Sequence, residues 1–383
     1  MEYFEPLLIL MVVIYTAGRI FDYLSLPIIF GELLGGFLLG PVFHIIPPDL
    51  EIVKILAELG IFFLMFHSGL ETDPNELLHA SKKSFLVALL GILFPLGGGY
   101  LISQYFGYTA SQSFFIGVSL SITAIAISVR LFKDCGLQGT PLSHIVLGAA
   151  VIDDIISLIL FSISLKVAEA GFVDWGMIGM MIIKIIAFFS IVLFIGNKGK
   201  KLLSKILKKK GFTFAFIMAL TLGIIAEHLG LHIIIGAFLA GLFINEGFLD
   251  KKIFDKIEDR IYGLSYSFLG PIFFVSLAFH LDFTALIETP VLALSITGVA
   301  ILGKVVGSGL AAYVQNISKK DSFIIGLAMN GRGAVELIIA SIGLKAGIID
   351  TEIFSVLVFM AFATTLISIL GIKFMTSKSR ASS

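Results

Sequence analysis

Two adjacent carboxylates, Asp153 and Asp154, lie about midway along an otherwise apolar run, and Lys184, Lys304 and Arg332 occupy comparable depths in other apolar runs. An acid at the centre of a membrane helix costs about 2.5–3.5 kcal/mol on insertion scales, so the two aspartates with Lys304 would cost about 8–10 kcal/mol if unpaired. An ion pair that merely pins two helices explains Lys304 and one acid and leaves the second acid over. Chemistry is expected at this point. Neighbours on a helix point about 100° apart, so one carboxylate can face a cation while the other faces water. Because burial disfavours the charged form, such a group holds a proton or, when ionised, attracts a hard monovalent cation. Competition between those two states is proton/cation exchange. Lys304 sits among Gly303 and Gly307, small residues that let helices approach closely, and a desolvated lysine that keeps or releases its proton is a second proton site. Lys184 lacks small neighbours and reads as a packing lysine. Arg332 and Glu336, four apart on one helical face, read as an ion pair.

The elements that must position these groups follow from composition. Of 383 residues 57% are hydrophobic and only 14% charged, whereas soluble domains carry about 25% charged residues. A water-soluble enzyme, a nucleic-acid binder and a disordered chain are excluded together. The fold class is an all-α polytopic membrane protein. Apolar runs predict thirteen spans, near 5–24, 28–46, 52–70, 83–105, 112–131, 140–166, 176–196, 211–229, 231–247, 264–281, 286–314, 322–347 and 352–375. The first is no cleaved signal, since Glu2 and Glu5 replace a basic leader. With a single cysteine, Cys135, no internal disulfide can form. The histidines show no metal-ligand spacing; His67 and His144 lie somewhat deeper than the rest. Lys+Arg and Asp+Glu are 27 each, so placement carries the information, and 21 of the 27 basic residues follow the odd-numbered spans up to the eleventh or lie in the tail. The positive-inside rule then puts the N-terminus outside and the C-terminus in the cytoplasm of a cell-membrane protein. The seven lysines from Lys198 to Lys210 read as a cytoplasmic basic loop beside anionic headgroups.

The halves of the chain resemble each other. Span 2 reads GGFLLG from Gly35 to Gly40 and span 9 reads GAFLAG from Gly236 to Gly241; Ile61-Phe62-Phe63 of span 3 returns as Ile272-Phe273-Phe274 of span 10. Partners seven spans apart cross in opposite directions, which predicts inverted six-helix repeats joined by span 7. Such repeats are the architecture of secondary transporters, with sites at the midplane on interrupted helices. Spans 5 and 12 hold the matching interruptions: Ser119-Leu120-Ser121-Ile122-Thr123 and Asn330-Gly331-Arg332-Gly333. Hydroxyls and missing side chains are what allow a membrane helix to unwind.

These motifs resemble the monovalent cation:proton antiporter-2 family over nearly the whole chain. The resemblance rests on PIIFGELLGGFLLGP from Pro27 to Pro41, Leu59-Gly60 through Gly69-Leu70-Glu71, Thr123-Ala124-Ile125-Ala126, Val151-Ile152-Asp153-Asp154, and Asn330-Gly331-Arg332-Gly333-Ala334-Val335-Glu336-Leu337. It implies two unwound helices that cross beside the acidic pair. It further implies a mobile core at 80–167 and 285–376, a dimerisation domain at 1–75 and 211–283, a linker at 175–210 and a cytoplasmic tail at 377–383. By the same resemblance Asp154 is the principal cation and proton site, with Thr123 and Ser121 at the break, and Asp153 pairs with Lys304 as in electrogenic sodium/proton exchangers. Arg332 and Glu336 would compensate charge at the break. One departure is Ala124, where some relatives carry an acid that offsets helix dipoles.

The sequence therefore predicts a homodimeric sodium (or lithium)/proton antiporter without cofactor, moving Na+ and H+. A potassium/proton antiporter on the same fold is the alternative. A sodium-coupled organic-anion symporter would not need a lysine opposite an acidic pair. An intramembrane aspartyl protease would need its two acids on separate helices.

Overall fold

The computed structural model describes residues 3–24, 26–72, 81–171, 175–244 and 251–380. His79 and the end of the tail, 381–383, fall outside the described residues, as do the side chains of 198–210. All regular structure among the described residues is helical: α1 Phe4–Tyr23, α2 Ile28–Phe37, α3 Glu51–Glu71, α4 Lys82–Tyr105, α5 Ala110–Ser121, α6 Ile125–Asp134, α7 Pro141–Ala170 and α8 Trp175–His228. There follow α9 Ile233–Ile244, α10 Lys251–Leu264, α11 Gly270–Ala278, α12 Phe283–Glu288, α13 Pro290–Tyr313, α14 Lys319–Met329, α15 Ala334–Lys345 and α16 Thr351–Arg380. A π turn, Leu38–Val42, extends α2, and another, Ser265–Leu269, joins α10 to α11.

Eight helices among the described residues are long and apolar enough to cross a bilayer, nine if the bent pair α14–α15 is one span; Ile28–Val42, Ile178–Val192 and Ile233–Ile244 are shorter apolar helices.

The basic segment 198–210, expected as a loop, is helical within α8. Lysine and leucine are good helix formers, and KLLSKILKKK contains neither glycine nor proline. Helix α8 has 54 residues, about 80 Å if straight. It is not straight. Lys184 Nζ donates to Leu229 O at 3.3 Å, 45 residues away, a separation of about 67 Å along a rod. The segment therefore reverses between them and holds two antiparallel apolar stretches.

The chain forms two compact units, Met1–Asn75 with Asp174–Leu281, and Glu76–Val173 with Asp282–Ser383. Glycines and apolar side chains build the first. A Cβ on Gly36 would lie 2.5 Å from Val275 O of α11, and one on Gly241 would lie 2.2 Å from Phe66 O of α3. Each copy of the Gly-x-Phe-Leu-x-Gly pattern thus packs against the Ile-Phe-Phe helix from the other half.

The second unit carries the buried charges. Its helices start and stop on local signals. Thr109 and Gln112 form a capping box at α5, Thr140 caps α7 immediately before Pro141, and Gly171 ends α7 in the left-handed region at φ 75°. Helices α4 and α13 meet closely at Gly307, where a Cβ would lie 2.4 Å from Leu90 O. That approach holds Lys304, in the middle of α13, out of reach of solvent.

Candidate functional site

Helix α5 stops at Ser121 and α6 starts at Ile125, with Ile122 and Ala124 extended between them. Helix α14 stops at Met329 and α15 starts at Ala334, bent from it by 44°. A membrane helix can open only where its freed backbone finds partners, and the two openings supply each other. Thr123 Oγ1 donates to Met329 O at 3.1 Å, the Ala124 N–H to Gly331 O at 2.9 Å, and Ser128 Oγ to Ala328 O at 2.6 Å. The breaks also touch: a Cβ on Gly333 would lie 2.8 Å from the Ala124 Cβ. Ser121 takes a lesser part, since its hydroxyl donates back to Val118 O of its own helix at 2.7 Å.

Fully buried Arg332 reaches across the crossing. Its guanidinium donates to the carbonyls of Ser119, at 3.3 Å, and of Leu120 and Ile122. Those oxygens form the C-terminal, negative end of α5, where a cation is stabilising. Glu336 lies in the first turn of α15, at its positive end, with Oε2 at 3.7 Å from Arg332 Nε. The Arg332–Glu336 pair read from the sequence is therefore a loose one, and the arginine's hydrogen bonds go to the other broken helix. The positive charge at the end of α5 is thus supplied by Arg332, from the break between α14 and α15.

Lys304 Nζ donates to Asp153 Oδ1 at 2.9 Å, and both side chains have 0% exposure. Asp153 Oδ2 has no hydrogen-bond partner among the described residues. Asp154, the next residue of α7, is 5% exposed. The acidic pair, the lysine, Thr123 and the arginine thus all belong to the second unit. Lys184 belongs to the first, where it caps the end of α8 at Leu229.

Sequence reasoning missed the brace beneath the second break. Thr365 Oγ1 accepts from the Arg332 N–H at 2.8 Å and donates to Arg332 O at 3.0 Å. Asn330 Nδ2 donates to Thr364 O and Ser368 Oγ, each at 3.1 Å. The available signal was the polar set Thr364, Thr365 and Ser368 inside the last apolar run. His67 is also more engaged than its sequence context suggests. It is buried in the first unit, with Glu258 Oε1 at 3.4 Å and Glu71 Oε1 at 3.8 Å. No cluster of His, Cys, Asp and Glu suited to a metal ion occurs among the described residues.

Broken membrane helices that meet at their breaks beside buried acids and a lysine are the kind of site on which ion transporters are built. The family described as "Sodium/hydrogen exchanger, transmembrane" matches residues 7–378, and the chain belongs to it. That family transports Na+ and H+ and needs no cofactor. GerT of Bacillus cereus, named as a probable Na(+)/H(+) antiporter, is 35% identical over 361 residues, covering 93% of this chain and 94% of that protein. GerN of the same organism, named a Na(+)/H(+)-K(+) antiporter, is 32% identical, covering 96% and 94%. A Na(+)/H(+) antiporter of Enterococcus hirae is 30% identical and covers 99% of each chain. The solved sodium proton antiporter MjNhaP1 of Methanocaldococcus jannaschii shares the fold, with a TM-score of 0.72, 19% identity, and 99% and 97% of the two chains covered.

Proposed function

We propose that this chain is an electrogenic sodium (or lithium)/proton antiporter that works by alternating access, cation and protons competing for Asp154. The observation that carries the reading is the fully buried Lys304–Asp153 pair, 2.9 Å apart, beside a second acid on the same helix. When a cation is drawn to the aspartates, its charge weakens the hold of Asp153 on Lys304, and the lysine can release a proton that Asp154 alone does not supply. More than one proton then moves per sodium. Thr123 and Ser121 offer oxygens at the first break, and Arg332 with Glu336 balances the half-helix dipoles.

Thirteen crossings agree with the eight long helices, the bent pair α14–α15, the three shorter apolar helices and the broken pair α5–α6. Inverted repeats are supported by the exchanged packing of Gly36 on α11 and Gly241 on α3. The basic residues favour an outside N-terminus and a cytoplasmic C-terminus in the cell membrane. A moving core at 80–167 and 285–376 and a homodimer formed through 1–75 and 211–283, with 175–210 as linker, accord with the division of the chain after Asn75, Val173 and Leu281. Potassium/proton exchange on the same fold is the second reading, favoured by the relative named a Na(+)/H(+)-K(+) antiporter.

The test is proton flux in proteoliposomes with sodium, lithium or potassium, with and without a membrane potential. Sodium-driven flux that responds to the potential, and is abolished in a folded Asp154→Asn protein, is expected. A folded Asp154→Asn protein with near-normal flux would sink the assignment of the carrier. Flux indifferent to the potential would mean one-for-one exchange.

A further inference from the structure

On an α-helix the side-chain neighbours of a residue are those three and four positions away, with Cβ atoms about 5–6 Å apart. Asp153 and Asp154 together have six such neighbours on α7: Ala149, Ala150, Val151, Ile156, Ser157 and Leu158. Only Ser157 among them carries a polar atom. It is four residues from Asp153 and three from Asp154, so it adjoins both carboxylates at once.

The serine hydroxyl is also unlike others nearby. Ser119, Ser121, Ser162 and Ser164 are buried too, and each donates to a carbonyl of its own helix at 2.7–3.0 Å. That is the usual way for a serine in an apolar helix to satisfy its hydroxyl. Ser157 has 0% exposure, and its Oγ has no hydrogen-bond partner among the described residues. One turn away, Asp153 Oδ2 is equally buried and equally without a partner. A neutral oxygen and an anionic oxygen, one turn apart on one helix face and both buried, are matched by a dehydrated monovalent cation.

We propose that Ser157 Oγ is a ligand of the transported cation, completing with the Asp153–Asp154 carboxylates a site one turn along α7 from the Lys304 bridge. This rests on the antiporter reading and names a residue that the reading does not use. The bound cation faces the Asp153 oxygen opposite the one held by Lys304, so its arrival and the loosening of the lysine are a single event at one carboxylate. A hydroxyl at fixed distance from two carboxylates also bears on ion size, because α7 sets the spacing of all three groups.

The experiment compares wild type, Ser157→Ala and Ser157→Thr, each as full-length protein. One readout is the KM for sodium, lithium and potassium in proteoliposomes. The other is the sodium concentration that half-maximally raises the melting temperature in detergent, which needs no transport. Ser157→Ala is expected to raise the sodium KM and the half-maximal concentration together by about five- to tenfold, the worth of one polar interaction. Its maximal rate should stay within about twofold, and Ser157→Thr, which restores a hydroxyl, should recover most of the loss. Should Ser157→Ala not fold, Ser157→Gly and Ser157→Cys carry the same comparison. An unchanged KM and unchanged thermal titration would overturn the proposal, as would a fall in maximal rate alone, which is the mark of altered packing. If wild type moves no protons against any of the three cations, the antiporter reading fails. The thermal titration then still decides whether Ser157 holds the ion.

Discussion

The two breaks in the second unit are built differently. At the first, between α5 and α6, the freed groups turn to the other broken helix: Thr123 to Met329 O, the Ala124 N–H to Gly331 O, and the carbonyls of Ser119, Leu120 and Ile122 to Arg332. At the second, between α14 and α15, Asn330 and the Arg332 backbone turn to Thr364, Thr365 and Ser368 of the unbroken helix α16. The second break is anchored on a continuous rod as well as on the first, whereas the first is anchored on the second alone. Opening a membrane helix requires an outside source of hydrogen bonds, and here the two openings stand in series on one such source. Damage at α15 or α16 should reach both breaks, whereas damage at Thr123 should stay local.

Arg332→Ala breaks the series at its strongest link. It leaves the α5 carbonyls without their donor and Glu336 as a buried acid without its cation. Removing one partner of a buried pair costs about 3–5 kcal/mol, so a large fall in melting temperature is expected, together with loss of exchange. Arg332→Lys should recover only part of this, because one ammonium cannot span three carbonyls as a planar guanidinium does. If Arg332→Ala melts like the wild type, the first break does not depend on the second.

Thr365→Val comes next in size. It removes a hydroxyl that accepts from one backbone group of Arg332 and donates to another. Interhelical hydrogen bonds in membranes average about 0.6 kcal/mol and reach about 1.7, so the loss of two gives about 1–2 kcal/mol. Thr123→Val removes a single bond and should cost about half as much. Thermal unfolding of the two variants side by side checks the order, and a reversed order would reverse the dependence.

Much of this was legible in the sequence because charge in a membrane is costly: Asp153, Asp154, Lys304 and Arg332 stand out from apolar runs before any fold is known. The breaks were legible too, through Gly331, Gly333 and the hydroxyls from Ser119 to Thr123. What each break bonds to was not, because the partners of Thr123 and Ser128 lie 206 and 200 residues away, and no local pattern encodes that. Thr364 and Thr365 were passed over since a hydroxyl in a membrane helix usually bonds its own backbone or packs. The helical state of 198–210 was missed for a different reason. Charge density marks a segment as outside the bilayer but says nothing against a helix there. Gly107, Gly171 and Gly230, by contrast, mark turns in the ordinary way, each with φ above 70°.

A comparably small effect concerns the place where the two breaks touch. Gly333 is the residue before the first turn of α15, and Gly333→Ala adds one methyl group there. It is limited by space, since the added Cβ would meet the Ala124 Cβ at 2.8 Å, closer than two methyl groups rest. Overpacking a tight core costs about 1–3 kcal/mol, and one methyl against another, relieved by a small shift of either break, belongs at the low end of that range. Ala124→Gly removes the opposing methyl and carries its own cost of about 0.5–1 kcal/mol through added backbone freedom. If the breaks press on each other here, Gly333→Ala should cost less in an Ala124→Gly background than in the wild type, and the double variant should be more stable than the sum of the singles. Residues in contact couple by about 0.5–3 kcal/mol, whereas distant ones add. Melting temperatures of the four proteins in the cycle measure the coupling directly. Strict additivity would mean that hydrogen bonds alone, those of Thr123 and the Ala124 N–H among them, join the two breaks.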